Sequence, residues 1–387
     1  MPMTSRDRVL AILNHEVPDR VPIILGVSNA TGIKMDTYQK IKALEGIDAP
    51  DEYIYDWPEL GTARIDEQTM RRLHSDVRAV LDRFPMEVHE RNKNREPHSP
   101  CIDDWGMGQI EIEPGVWFPG YHPLPDATTI EELDAYKGWP DMNDPYRVAH
   151  VPEQAQKLVE ENEHAIMATP WLMFPFERAF GLQGMDKFLM NMAMYPDFAQ
   201  ALLKKNTELC KQHLANFLDA IGENIDIIKI GDDLGSQECL MISPKMYRQM
   251  LKPLHADLIQ TIKKHTKAKV FFHTDGDVFD LIDDFIEIGV DILNPVQTSA
   301  GKMSDLAGLK QRYGGSLVFC GAIDTQHVLP HGTPEEVKQE VKRVIDILGV
   351  GGGYMVASVH TIMNEVPAEN VLAMVDAVEE YGYYPLK

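Results

Sequence analysis

Residues 269–297 read KVFFHTDGDVFDLIDDFIEIGVDILNPVQ, and their hydrophobic period changes twice. The run Val270-Phe271-Phe272 is short and rich in β-forming residues, which predicts a strand. From Val278 to Ile288 the apolar residues recur at helical spacing, and Asp291-Ile292-Leu293 is a second short run. A strand, a helix and a strand joined in this way form a unit whose strands run parallel.

The rhythm extends in both directions. Toward the C-terminus come helix Met303–Tyr313, strand Leu317–Phe319, helix Pro334–Leu348, strand Tyr354–Val356 and a last helix Pro367–Tyr381. Toward the N-terminus, Ile225–Ile230 reads as a strand before a helix holding Met246 to Ile262. Before that come the apolar run Ala165-Ile166-Met167 and helices around Met185–Met194 and Phe198–Ile221.

A doubly wound sheet and a closed barrel both satisfy this alternation. Polar side chains end almost every predicted strand, and that is where a (β/α)8 barrel gathers its chemistry. No G-x-G-x-x-G follows a strand; Gly351-Gly352-Gly353 precedes one, so the dinucleotide fingerprint is missing. The expectation is a (β/α)8 TIM-type barrel, a single domain over residues 1–387. Its opening is a helix from Thr4 to His15 behind a Thr4/Ser5 cap, then the turn Pro18–Pro22 and a first strand Ile23-Ile24-Leu25. Residues 49–144, with Trp57, Trp105, Trp117 and many prolines and glycines, read as an irregular N-terminal elaboration at one end of the barrel.

Composition narrows the class of function. With 44% hydrophobic and 25% charged residues the chain has globular proportions. Its 37 Lys and Arg against 60 Asp and Glu give a formal charge of −23, which repels phosphate backbones and anionic lipids. Neither nucleic acid nor membrane is expected as a partner. The N-terminus is polar, and no stretch reaches the roughly 18 apolar residues that a span requires. Cys101, Cys210, Cys239 and Cys320 form no CxxC pair, the usage of a reducing compartment, so a cytoplasmic protein is expected.

Read strand by strand, the rim offers Asp232, Asp233 and Gln237, then His273 and Asp275, Asn294 and Gln297, Cys320 and Asp324, and finally His360. His273 and Asp275 lie two residues apart at a strand end, so they share a face. His360 ends the last strand, within reach around a closed ring. These three either hold a metal ion or hydrogen-bond loop amides and substrate. Asp232 and Asp233 read as an acid–base pair, or one of them caps the next helix or binds loop amides. Asn294 and Asp324 carry the same ambiguity. Gln237, Gln297, Tyr354, Trp171, Phe174 and Phe176 are the candidates for substrate contact, the aromatic ones either lining a pocket for a flat ring or filling core. Cys320 is a further candidate contact or a small buried hydrophobe.

Several blocks together carry a resemblance: RDRVLAILNHEVPDRVP, LHSDVRAV, GDDLGSQECLMISPKMYRQMLKP, residues 271–297, CGAIDTQHVLPHGTPEEV and VHTIMNEVPAENVLAMVDA. With these blocks the chain resembles, over nearly its whole length, the uroporphyrinogen decarboxylase-like superfamily, which includes cobalamin-linked methyltransferases. The decarboxylases of that superfamily place an arginine-rich segment near the start of the barrel to neutralise the tetrapyrrole carboxylates. Here residues 25–32 read LGVSNATG, without arginine. Asp76 falls where the decarboxylases have a functional Asp.

The superfamily's thiol methyltransferases bind zinc through a His-x-Cys pair and a Cys ending the last strand. By position His273 matches the first ligand, Asp275 replaces the middle Cys, and His360 stands at or beside the third. Zinc accepts such nitrogen and oxygen ligands. The resemblance therefore implies a corrinoid-dependent methyltransferase acting on a small methylated compound such as an aryl methyl ether (O-demethylation). The cobalamin would arrive on a partner protein, since no D-x-H-x-x-G occurs. The alternative is a uroporphyrinogen decarboxylase or a related decarboxylase of a carboxylated ring.

Overall fold

The computed structural model describes residues 3–96, 99–113, 116–171 and 174–386. Its centre is a parallel sheet of seven strands in chain order: β1 (Val77–Leu81), β2 (Ala165–Thr169), β3 (Ile227–Gly231), β4 (Lys269–His273), β5 (Ile292–Val296), β6 (Val318–Ile323) and β7 (Tyr354–Ser358). Each strand pairs with its sequence neighbours, the signature of right-handed strand–helix–strand units wound one after another.

The ring closes through the segment read as a first strand, which is reduced to a single bridge. Ile23 pairs in parallel with Val356 of β7, and on the other side its carbonyl accepts from Asp76 N at 2.8 Å, just before β1. Pro22 lacks a donor for a longer ladder, and Gly26 turns the chain away at φ +74°. The result is the TIM-type barrel that the strand–helix rhythm implies.

Strand parity sorts the core into two layers. Val77, Ala165, Met167, Ile227, Phe271, Ile292, Val318, Cys320 and Met355 fill the barrel interior, while Ile228, Ile230, Phe272, Leu293, Phe319, Tyr354 and Val356 pack outward against the helices. Burying one such side chain contributes about 1.5–3 kcal/mol. Parity also aims His273, two residues beyond Phe271, and Asn294, two beyond Ile292, at the barrel axis.

One barrel strand lies inside the stretch read as irregular. Val77–Leu81 pairs residue for residue with Ala165–Thr169, so residues 49–144 contain β1 as well as the elaboration. Around it, Glu52–Tyr53 pairs with Ala63–Arg64, and Cys101–Ile102, Gly108–Glu113 and Val116–Tyr121 make a three-stranded antiparallel sheet. Ile54, Tyr55, Trp57, Phe84, Val88 and Cys101 form a separate apolar cluster with Leu81, the last residue of β1, and Trp171 packs on it. The elaboration thus sits at the C-terminal ends of β1 and β2. Among the described residues no helix is long and apolar enough to cross a membrane.

Candidate metal and substrate site

The C-terminal rim brings His273, Asp275 and His360 together, with one ligand atom from each within 4.8 Å of the others. Asp275 Oδ2 lies 3.9 Å from His273 Nε2 and 3.5 Å from His360 Nε2, and the two rings are 5.6 Å apart. Asp275 Oδ1 is buried and has no hydrogen-bond partner among the described residues. A carboxylate oxygen left bare beside two imidazoles fits a cation better than it fits a closed hydrogen-bond network.

The surroundings orient this trio. His273 Nδ1 is 2.7 Å from Asn294 Oδ1, its register partner on β5, so the amide oxygen fixes the proton on Nδ1 and leaves the Nε2 lone pair free. Asp275 N donates to Asp233 Oδ1 at 2.9 Å, and Gly276 N donates to Gln297 Oε1 at 2.7 Å. Gly276 is required where it stands: φ is +88°, and a Cβ would come within 2.3 Å of the Gly235 carbonyl carbon. Gly231 has the same duty toward His273, whose carbonyl oxygen would be 2.5 Å from an added Cβ.

Electrostatics keep both imidazoles neutral. Burial lowers the His273 pKa well below the usual imidazole value, helped by Lys229 and His360; burial and Lys229 lower that of His360. Burial and the neighbouring Asp233 push the Asp275 carboxyl upward. Neutral imidazoles are the form that ligates.

Two spaces meet at the trio. An inner cavity of about 490 Å³ is lined by Tyr55, Glu177, Lys229, Asp233, His273 and His360; a wider mouth of about 1000 Å³ is lined by Asp275, Gln297, Gln326, His331, His360 and Met363. His360 faces both. No arginine lines either space among the described residues. Arg64 and Arg78 border another cavity, Arg71 is on the surface with Glu67 and Glu163, and Arg178 is buried beside Asp103 and Trp105.

Glu177 and Lys229 escape a reading by strand ends. Lys229 points inward from β3 and donates to Asn29 Oδ1 at 3.2 Å; its lone cation inside Ile225–Ile230 was the available signal. Burial lowers its pKa. Glu177 sits on the helix Pro175–Gln183, and burial together with Asp233 and Asp232 pushes its carboxyl well above the usual range. No sequence pattern marks it.

Other expected site residues stand elsewhere. Asp232 holds the start of Pro175–Gln183: its carboxylate accepts from Phe176 N at 2.9 Å and Glu177 N at 2.7 Å and pairs with His255 at 3.0 Å. It therefore positions Glu177 and does not face the cavity. Asp76 is at the opposite end of the barrel, before β1, where it accepts from Ile23 N and pairs with Arg8 at 2.6 Å and Arg20 at 3.2 Å. Asp324 closes a turn by accepting from Gln326 N. Gln237 is on an exposed loop.

Phe174 and Phe176 are core, whereas Trp171 does line the inner cavity. Cys320 is not a strand end: β6 runs on to Ile323, which puts the thiol in the sealed barrel interior, and burial raises its pKa. Tyr354 is on the outward parity of β7 and donates its hydroxyl to Gly321 O at 2.8 Å.

Residues 105–381 match the family described as uroporphyrinogen decarboxylase (URO-D). The methylcobamide:CoM methyltransferase MtbA of Methanosarcina mazei is 25% identical over 391 aligned residues, covering 98% of this chain and 99% of that protein. A uroporphyrinogen decarboxylase of Christiangramia forsetii is 25% identical over 70% of this chain and 75% of its own. Among solved structures, a methyltransferase from Methanosarcina mazei superposes with a TM-score of 0.67 at 19% identity, across 98% of this chain and 99% of that one. That last likeness supports the fold.

Proposed function

The chain belongs to the uroporphyrinogen decarboxylase (URO-D) family and stands among its methyltransferases, and from that premise we propose that it demethylates a small methylated substrate such as an aryl methyl ether, the acceptor being a corrinoid on a partner protein. The observation that carries the reading is His273, Asp275 and His360 gathered at the junction of two spaces free of arginine among the described residues. A polycarboxylate ring seated there would lack the charge-assisted hydrogen bonds, about 1.5–3 kcal/mol each, that its acids require.

In this reading the methyl–oxygen bond breaks, the methyl group passes to cob(I)alamin, and the released oxygen takes up a proton. His273, Asp275 and His360 would hold a divalent ion, with zinc matching the donor set, and such an ion would supply Lewis-acid polarisation of the oxygen that bears the methyl group. Asn294 sets the His273 tautomer, while Asp233 and Gln297 hold the turn that carries Asp275. Glu177, whose carboxyl keeps its proton to higher pH, is placed in the inner cavity to supply the proton. The methylated end of the substrate faces the inner cavity, and the corrinoid approaches through the wider mouth. We place the protein in the cytoplasm, where cysteines that form no disulfide stay reduced.

The test is a spectroscopic assay of cob(I)alamin methylation with a panel of methyl ethers and methylamines. An ether-dependent signal supports the reading, and no methylation from any of them contradicts it.

A further inference from the structure

Trp171 is the hinge between the inner cavity and a third space. It lines both, and on its far side lies a pocket of about 480 Å³ walled by Trp57, Phe84, Met107 and Gln109. The aromatic wall is continuous. Tyr55 and Trp171 are 4.9 Å apart between ring centres, Trp171 and Phe84 5.6 Å, and Phe84 and Trp57 4.3 Å. Rings at these separations pack on one another, so they present one aromatic surface on which a further ring can lie.

Two polar side chains stand among the residues of that apolar wall. Gln109 Oε1 and Trp171 Nε1 are both buried, and neither has a hydrogen-bond partner among the described residues. The first is an acceptor and the second a donor. Buried polar atoms are rarely left unpaired, and orphans of complementary kind in one pocket point to a ligand that pairs them. The acid in the same pocket offers less: Asp103 Oδ1 already accepts from Trp105 N and Met107 N at 2.9 and 3.0 Å.

We infer that this pocket binds a hydroxylated aromatic ring, its hydroxyl donating to Gln109 Oε1 and a second oxygen accepting from Trp171 Nε1 at the passage toward His273 and His360. The pocket is built by the elaboration around β1 and Trp171 after β2, so it selects substrate independently of the metal ligands. Resting on the methyl-transfer reading, the inference names the donor class, the methoxyphenols.

Calorimetry on the full-length protein treated with chelator tests it, because binding is then read without metal. The probes are 4-methoxyphenol and methoxybenzene, which differ by the hydroxyl. The wild type should bind 4-methoxyphenol at one site, about tenfold more tightly than methoxybenzene, since one hydrogen bond distinguishes them. Gln109→Leu should abolish that difference, and Trp171→Phe, which keeps the ring wall, should weaken 4-methoxyphenol. Unchanged melting temperatures show that both variants fold.

No binding by the wild type, or a tenfold preference that survives Gln109→Leu, overturns the inference. Binding that follows the expected pattern while no methyl group reaches cob(I)alamin leaves the pocket standing and contradicts the methyl-transfer reading. Methylation from aliphatic ethers without aromatic binding does the reverse.

Discussion

His273 Nδ1 and Asn294 Oδ1 are 2.7 Å apart because adjacent parallel strands bring the two residues into register at the barrel rim. The contact decides which imidazole nitrogen is free. Asn294→Ala should therefore lower zinc affinity about 10–100-fold, as loss of such an outer partner does. Competition titration with a chromophoric chelator measures it, and an unchanged affinity removes Asn294 from the site.

Glu177 gives a pH dependence of known sign. Its carboxyl pKa is raised in the folded protein, so its contribution to stability is fully present below the unfolded value of about 4.3 and is lost as pH rises through the folded value. Glu177→Gln removes a group that is costly to ionise. The metal-free variant should gain melting temperature relative to metal-free wild type as pH rises from 5 to 8, while the zinc-reconstituted variant transfers methyl more slowly than zinc-reconstituted wild type. A difference that stays flat with pH would show that the carboxyl ionises as easily in the folded chain as in the unfolded one.

Asp76 offers a control at the other end of the barrel. Its carboxylate pairs with Arg8 and Arg20 inside the structure, so Asp76→Ala should destabilise by about 3 kcal/mol. Denaturant unfolding reads the loss. Metal content should stay at the wild-type level, and a variant that folds normally yet loses its metal would place Asp76 in the site after all.

Uroporphyrinogen should not be turned over, because neither space at the site is lined by arginine among the described residues. Chromatography of the reaction products decides this. Formation of coproporphyrinogen at an enzymatic rate would restore the decarboxylase alternative.

Periodicity was enough to read the barrel's second half, because each strand there is a short apolar run between amphipathic helices. It was not enough for Val77–Leu81, where Arg78 breaks the apolar run, nor for the opening segment, where Pro22 and Gly26 leave only the Ile23 bridge. The site divides in the same way. His273 and Asp275 were legible as neighbours at period two, and His360 as the end of a strand. Of the two roles open to Cys320 the structure has the small buried hydrophobe, because β6 continues three residues past it, and Asp232 serves a helix start, as a strand-end carboxylate does as readily as it serves a substrate. Glu177 is contributed by a helix and brought in by the fold alone.

The proposed chemistry depends on a metal held by His273, Asp275 and His360, and elemental analysis of zinc-reconstituted protein and its variants measures that ion. Wild type and Cys320→Ser should each retain about one divalent ion per chain, as a site of three protein ligands and one open position does, and His273→Ala and His360→Ala should lose it. Metal retained in His360→Ala and lost in Cys320→Ser, or no metal in any of the proteins, would contradict the account.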